Sequence, residues 1–582
     1  MPASLIEGSS LLAVDIGTVT TRAAYFDVVE GRYRHIASGQ SPSSAAAPWR
    51  DVALGIRQAI LDLQSLLGRP LMDEDQRLIV PSQPELGGAD SFVVTLSAGP
   101  PIKTVVVGLL SEVSLDSAQR LARTTYARVV EAIGMNDHRS ADEQVDTIVR
   151  LAPDLILVAG GTQNGASRSL QKLIETIGLA CYVLPQDKRP AVLYAGNKEL
   201  AEEAKSALQP LTSGLQISPN IRPSLEVEDL DPARKDLAVL FSQIRQRQIG
   251  GVEDLAATAG GPPLPTSFAQ GRVIRFLSTI SDKGILAVDL GASATTVLAG
   301  YRGGTSTSVF PQFGLGEPLG GLQRHTTLAE ISQWLPIDIP DDLLQDYIYL
   351  KALHPGSLPA TPEDLAIEQA LARVNLTLAL RAARPDFPRI PARRGGHLPA
   401  FDPIIAAGSV FTAAPTPGQS LLMLLDALQP AGYANVLLDG GNLMPAMGAA
   451  AEFNPLLPVH VIEAGAFLPL AAVVAPLSGA AYGSVILKAQ LVGSDGSDTS
   501  VEVKQGSLEV LPLPIGQTGE LRLKMSGRTD AGLGAGRSYR VEAVNGSALG
   551  VVIDARGRPL RLDTDAMHRR ELLNHWLGIL GG

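Results

Sequence analysis

Residues 11–22 read Leu-Leu-Ala-Val-Asp-Ile-Gly-Thr-Val-Thr-Thr-Arg, and residues 285–297 read Ile-Leu-Ala-Val-Asp-Leu-Gly-Ala-Ser-Ala-Thr-Thr-Val. Each is an apolar run ending in Asp, then a Gly turn lined with hydroxyls, then a second strand-like run. The pattern predicts a strand, tight turn, strand unit, present twice in one chain. Such a turn offers backbone N–H groups and Ser/Thr hydroxyls to phosphate oxygens. A carboxylate at the strand end can hold a hydrated Mg²⁺ that bridges them. One Asp-x-Gly after a strand reads equally well as a plain hairpin; the duplication favours a phosphate site. The residues so marked are Asp15, Gly17, Thr18, Thr20, Thr21 and Arg22 in the first copy, and Asp289, Gly291, Ser293 and Thr295 in the second.

Paired hairpins of this kind resemble the phosphate grips of the actin, sugar kinase and heat-shock chaperone superfamily. The resemblance implies an α/β fold with two ribonuclease-H-like (actin-like ATPase) lobes around a cleft. It implies ATP and Mg²⁺ as cofactors, with Asp15 and Asp289 as the metal-holding and catalytic carboxylates. It also implies two later motifs. Residues 404–411, Ile-Ile-Ala-Ala-Gly-Ser-Val-Phe, match the strand and turn that touch the adenosine, which marks Gly408 and Ser409. Residues 435–451, Asn-Val-Leu-Leu-Asp-Gly-Gly-Asn-Leu-Met-Pro-Ala-Met-Gly-Ala-Ala-Ala, resemble the last strand and the small-residue connecting helix, and mark Gly440 and Gly441.

At 582 residues the chain exceeds a single core, so three or four domains are expected. Its 45% apolar and 18% charged content is that of a soluble globular protein. A net charge of −11 argues against a broad nucleic-acid footprint, which requires a basic face. The one cysteine, Cys181, excludes an intrachain disulfide and a multi-thiolate metal site, and is expected to be a buried structural thiol. Met1–Glu7 lack the features of a secretory signal. Ala464–Leu487 carries no charge, but Pro469, Pro476, Gly465, Gly479 and Gly483 break it into strand-sized pieces, so buried β structure is expected rather than a membrane span. No transmembrane segment and a cytoplasmic location follow as expectations.

Along the chain, a third strand at 33–38 and a helix at 49–67 complete a ribonuclease-H-like opening. Strands are expected at 92–96 and 103–109 and a helix over 116–133. A buried strand runs into the Gly-rich turn 160–165 ahead of a helix at 167–177, a junction that either binds an anion or simply packs. A strand and Gly turn follow at 189–197, a polar loop at 210–223, and helices at 232–249 and 266–280 flank a Gly-Gly-Pro-Pro loop at 260–263. The second hairpin leads to a third strand at 305–311 and helices at 328–335, 341–353, 362–383 and 419–428. Residues 381–397 form the densest basic segment, suited to phosphates, to an acidic partner, or to a solvated loop. After 456, short alternating runs suggest a mainly β domain capped by a helix at 564–580. The i, i+7 pair His568 and His575 on that helix lacks a third ligand. The expected division is 1–280 for lobe I, 281–455 for lobe II, and 456–582 for the C-terminal domain.

Within the superfamily, residues 11 to about 455 resemble the MutL/GlmL family named for glutamate mutase operons, which is unrelated to the mismatch-repair protein of the same name. The resemblance lies in Asp15–Arg22, Asp154–Gly165, Tyr194–Asn197, the Leu-Pro-Thr of 264–266 before a helix, and the second hairpin. It implies a nucleotide-binding accessory, chaperone-like or reactivating partner of a coenzyme B12-dependent carbon-skeleton mutase. Family members usually carry Asp-Ile-Gly-Gly-Ala-Thr-Thr-Asp at the second hairpin, whereas this chain has Ala292 and Thr296, and Gln163-Asn164 stands where Asp-Gly is usual. Loss of a carboxylate at 296 removes a candidate base, a group worth roughly a hundred- to ten-thousand-fold in rate. A weak ATPase at most is therefore expected. The alternatives are a small-molecule kinase and a non-catalytic actin-like assembly scaffold. An Asp15→Ala chain is expected to lose Mg-nucleotide affinity and to keep its melting temperature within a few degrees.

Overall fold

The structure, a computed structural model, describes residues 9–163, 165, 167–259, 261–391 and 396–582. The expectations concerning Met1–Glu7, Asn164, Gly260 and the stretch 392–395 lie outside the described residues. Compactness divides the chain into two units: Met1–Gln270 with Thr307–Pro311 and Pro445–His460, and Gly271–Ser306 with Gln312–Met444 and Val461–Gly582.

In the first unit, strands β1 (Leu11–Ile16), β2 (Thr20–Val29), β3 (Arg32–Pro42), β4 (Ser91–Leu96) and, later, Leu264–Pro265 form one sheet. β1 and β2 pair antiparallel, as do β2 and β3; β1 and β4 run parallel, and Leu264–Pro265 adds parallel to β4. The helix Ala53–Leu67 lies on the hairpin strands, and Gly39 of β3 makes this possible. A Cβ there would stand 2.3 Å from the Leu63 nitrogen and 2.4 Å from the Ala59 oxygen.

The same unit holds a second, wholly parallel sheet of β5 (Ile102–Val107), β6 (Ala127–Ile133), β7 (Leu155–Val158), β8 (Ala191–Tyr194) and β9 (Gly214–Ile217), in the order β6-β5-β7-β8-β9. Numbered within itself this is 2-1-3-4-5, a doubly wound arrangement. Its apolar strands and helices enclose a core that includes Ile156, Val192, Ile174 and Cys181. Two expectations fail here. The expected helix over 116–133 stops at Ala122, and Ala127–Ile133 is β6. The β-branched Thr124, Thr125, Val129 and Val130 favour extended backbone, and β5 supplies the partner. The expected loop 210–223 contains β9, a short edge strand.

About the second hairpin, β10 (Gly284–Leu290), β11 (Thr295–Tyr301), β12 (Gly304–Phe310), β13 (Phe401–Ala407) and β14 (Gly432–Leu438) repeat the first sheet's order, with β10–β11 antiparallel and β10–β13 and β13–β14 parallel. Both sheets thus read 3-2-1-4-5, the ribonuclease-H-like arrangement. This sheet does not end at its fifth strand. The uncharged stretch supplies β15 (Leu468–Ala475), antiparallel to β14, and Val551–Asp554 and Leu508–Leu511 extend the sheet to eight strands. A four-stranded antiparallel sheet of Val485–Gly493, Asp498–Lys504, Thr518–Met525 and Tyr539–Asn545 packs on that extension, sharing a core of Val474, Ile553, Leu487, Leu521 and Leu523. The C-terminal helix is Ala566–Ile579. Its Trp576 faces the buried Arg556 guanidinium at 4.7 Å.

Candidate functional site

The first turn is drawn tight by its own backbone. The Gly17 N–H donates to the Thr20 carbonyl at 3.0 Å, and a Cβ at Gly17 would lie 2.8 Å from that oxygen, so glycine is required. Asp15 stands opposite Arg22 in the β1–β2 register and beside Thr95 in the parallel β1–β4 register. Its Oδ1 accepts hydrogen bonds from Thr95 Oγ1 at 2.6 Å and Thr266 Oγ1 at 2.9 Å. Thr266 opens the helix Thr266–Ile280 directly after Leu264–Pro265. Three parallel strand ends therefore converge on one carboxylate. Inside the turn, Thr18 Oγ1 is buried with no hydrogen-bond partner. Thr21 is almost fully buried, whereas Gly17, Thr20 and Arg22 are half-buried.

The second turn reproduces the first. The Gly291 N–H donates to the Ala294 carbonyl at 3.0 Å, and Asp289 stands opposite Thr296 just as Asp15 stands opposite Arg22. Ser293 is half-buried within the turn. Thr295 donates its hydroxyl to the Phe313 carbonyl at 2.7 Å, tying the loop that follows β12 to the turn. Because β10, β13 and β14 are parallel neighbours, their C-terminal ends share one sheet edge. Gly408 follows β13 with φ +110°, and a Cβ there would be 2.3 Å from the Leu290 oxygen, so the Gly408–Ser409 turn sits directly on the end of β10. After β14, buried Asp439 accepts the N–H groups of Leu443 and Met444 at 2.7 and 2.9 Å, fixing the Gly440–Gly441 loop against the start of the helix Leu443–Ala450.

Each unit thus collects its marked residues at the C-terminal edge of its ribonuclease-H-like sheet. Sequence reasoning missed Thr95, Thr266 and Asp439 as members of these sets. Thr266 lay within the Leu-Pro-Thr motif and Asp439 within 435–451, so a polar side chain one residue past a strand end was the available signal. In the parallel sheet, Gly160 packs on Leu109 and Gly196 on the Gly160 carbonyl, where Cβ atoms would stand at 3.1 and 2.8 Å. Those glycines serve close backbone approach between strand-end loops.

Among the described residues no group of three or more His, Cys, Asp or Glu could hold a metal, and His568 Nδ1 meets Asp563 Oδ2 at 2.8 Å. A carboxylate braced by hydroxyls beside a partnerless buried hydroxyl fits Mg²⁺, which keeps several waters and takes its other ligands from phosphates. No described helix is long and apolar enough to cross a membrane.

A relative from Clostridium tetanomorphum, Protein MutL, is 23% identical over 400 residues, covering 63% of this chain and 84% of the relative. Among solved structures, a nucleotide-free acetone carboxylase is 13% identical and covers 86% of this chain and 81% of its own, with a TM-score of 0.32. The ethanolamine utilization protein EutJ from Carboxydothermus hydrogenoformans is 8% identical and covers 77% of this chain and 91% of its own, with a TM-score of 0.27. The architecture is read from strand order rather than from likenesses at that level. The family model described as MutL protein matches residues 11–465, the span that holds both hairpins and both later motifs, and the chain therefore belongs to the MutL family.

Proposed function

We propose that this protein is a Mg-ATP-binding accessory factor that reactivates or chaperones a coenzyme B12-dependent carbon-skeleton mutase such as glutamate mutase. The observation that carries the reading is the same Asp-x-Gly turn built twice, with the same Gly N–H to carbonyl bond, each at the C-terminal edge of a 3-2-1-4-5 sheet. Asp15 and Asp289 would hold the metal through its water shell. Gly17, Thr18, Thr20, Thr21 and Arg22, with Gly291, Ser293 and Thr295, would offer donors to phosphate oxygens. Gly408, Ser409, Gly440 and Gly441 would line the adenosine. When bound, Mg²⁺ neutralises phosphate charge.

Thr296 occupies the register position opposite Asp289 and is almost fully buried. A threonine there holds no negative charge and accepts no proton from water, so turnover is expected to be weak and nucleotide binding to be the working event. Family membership supports the accessory role, and the mutase partner extends it. We further propose that 1–280, 281–455 and 456–582 act as lobe I, lobe II and accessory domain.

Calorimetry with Mg-ATP tests the nucleotide reading: saturable binding that weakens in Asp15→Asn and in Asp289→Asn is expected, and absence of heat at millimolar nucleotide would refute it. The partner reading is tested separately by mixing the protein with inactivated mutase and Mg-ATP. Failure to restore activity, with nucleotide binding intact, would remove that partner alone.

A further inference from the structure

In the second unit, away from the C-terminal ends of the strands, a cavity of about 210 Å³ opens where the helix Pro362–Ala383 ends, beside the residues after the helix Pro417–Leu428 and Pro559. Its charged lining is Arg381, Arg384 and Arg558, joined by His397, and among the described residues of its wall there is no carboxylate. The chain as a whole carries a net charge of −11, so the basic lining is a local departure.

Two of the three arginines are held in place. Arg384 Nη2 donates to the Gly396 carbonyl at 2.8 Å and the His397 carbonyl at 2.7 Å. Arg558 donates from Nε to the Pro430 carbonyl at 2.9 Å and from Nη2 to Asp554 Oδ2 at 2.6 Å, and its side chain is 1% exposed. Arg381 is exposed beside them. Glu330, which feels the Arg381 charge, lies outside the wall and already accepts the Thr326 hydroxyl and the Thr327 N–H.

Behind the wall the charges do not balance either. Among the described residues, Arg373, Arg556 and Arg558 share Asp426 and Asp554, all with side chains at most 6% exposed, which leaves one buried cation in excess. An uncompensated buried charge is costly, and an anion in the adjoining cavity offsets it.

We propose that this cavity binds a small phosphate-bearing anion. Guanidinium forks match phosphate oxygens in pairs, and a wall with several arginines and no described carboxylate suits a dianion better than a single carboxylate. The cavity has room for roughly seven waters' volume and falls below the ~300 Å³ at which clefts for larger ligands begin. It therefore has room for a phosphoryl or diphosphate group.

The test is calorimetry of the full-length protein with inorganic pyrophosphate, without Mg²⁺ or nucleotide, at low salt. Saturable binding is expected, weakened about tenfold in Arg384→Met and in Arg381→Met, since each removes a charged donor from the wall. Asp15→Asn is expected to bind pyrophosphate as the wild type does, which separates this site from the hairpin turns. Arg381→Met changes an exposed side chain, so its melting temperature checks that the fold is intact. No saturable binding, or binding that both arginine variants leave unchanged, overturns the proposal.

Discussion

Replacing Asp15 by Ala and by Asn separates two jobs of one carboxylate. Its Oδ1 takes two hydroxyl hydrogen bonds, from Thr95 and Thr266, which are only 2% and 3% exposed. Alanine removes the acceptor and leaves both hydroxyls in a water-poor place, at about 1–3 kcal/mol each. The total is roughly 2–6 kcal/mol, or a melting temperature lower by about 3–10 °C in a unit of this size. This revises the expectation that Asp15→Ala would melt within a few degrees of the parent. Asparagine keeps an oxygen for both hydroxyls and loses only the charge-assisted part of two bonds, which are roughly twice as strong as neutral ones. Its melting temperature should fall by a few degrees at most. Both variants should lose Mg-ATP affinity by at least about tenfold, or ~1.4 kcal/mol. Differential scanning calorimetry reads the first quantity and titration calorimetry the second. Equal melting of Asp15→Ala and wild type would show that Thr95 and Thr266 do not depend on Asp15. Unchanged Mg-ATP binding in Asp15→Asn would remove the carboxylate from the metal site.

Gly408→Ala should both destabilise the fold and weaken nucleotide binding, because φ +110° costs a non-glycine residue about 1–3 kcal/mol and its Cβ would meet the Leu290 oxygen at 2.3 Å; thermal melts and titration check both. Arg556→Met should cost about 1.5–3 kcal/mol in chemical denaturation, since Asp426 and Asp554, whose side chains are 0% exposed, lose its charge-assisted hydrogen bonds but keep Arg373 and Arg558 as partners. Burial alone would raise the Asp554 pKa, but Arg556 and Arg558 overrule it and hold the group well below the usual carboxylate range. Its stabilisation is therefore present above the unfolded value of about 3.9 and lost as pH falls through the folded value; the stability difference between wild type and Asp554→Asn should shrink on acidification below about pH 4. Burial pushes the Cys181 thiol up to about 12, so the native protein should resist thiol reagents at neutral pH and react only on unfolding.

The hairpins were legible because everything that makes them lies within about a dozen consecutive residues. An apolar run, an Asp and a glycine at the point of close approach specify the turn locally, and no distant partner is needed. Helices with clean ends were legible for the same reason, and Asp341–Leu353 and Pro362–Ala383 fall where their sequence places them. The helix expected over 116–133 failed because its second half is decided by a neighbour: Ala127–Ile133 is a strand only because Ile102–Val107 runs beside it. Likewise Gly214–Ile217 is four half-buried residues with no alternation to read, and its pairing with β8 makes it a strand.

The sites follow the same division. A turn is local, but the hydroxyls that hold Asp15 come from Thr95 and Thr266, brought to it by parallel pairing of β1 with β4 and of β4 with Leu264–Pro265. Nothing in either threonine's surroundings distinguishes it from other threonines at strand ends. Topology does. Once β1 carries a functional Asp at its C-terminal end, every strand parallel to it must end at the same edge, so the residues just past those ends become candidates for the same site. Applied to the second unit, that reasoning selects Gly408 after β13 and Asp439 after β14. The resemblance had marked Gly408, whereas Asp439, a polar residue just past a strand in the 435–451 motif, joins the set once β14 is known to run parallel to β13. Its two hydrogen bonds to the Leu443 and Met444 N–H groups make it the fixed point of the Gly440–Gly441 loop. Asp439→Ala should therefore loosen that loop and raise the nucleotide dissociation constant without touching the phosphate turns.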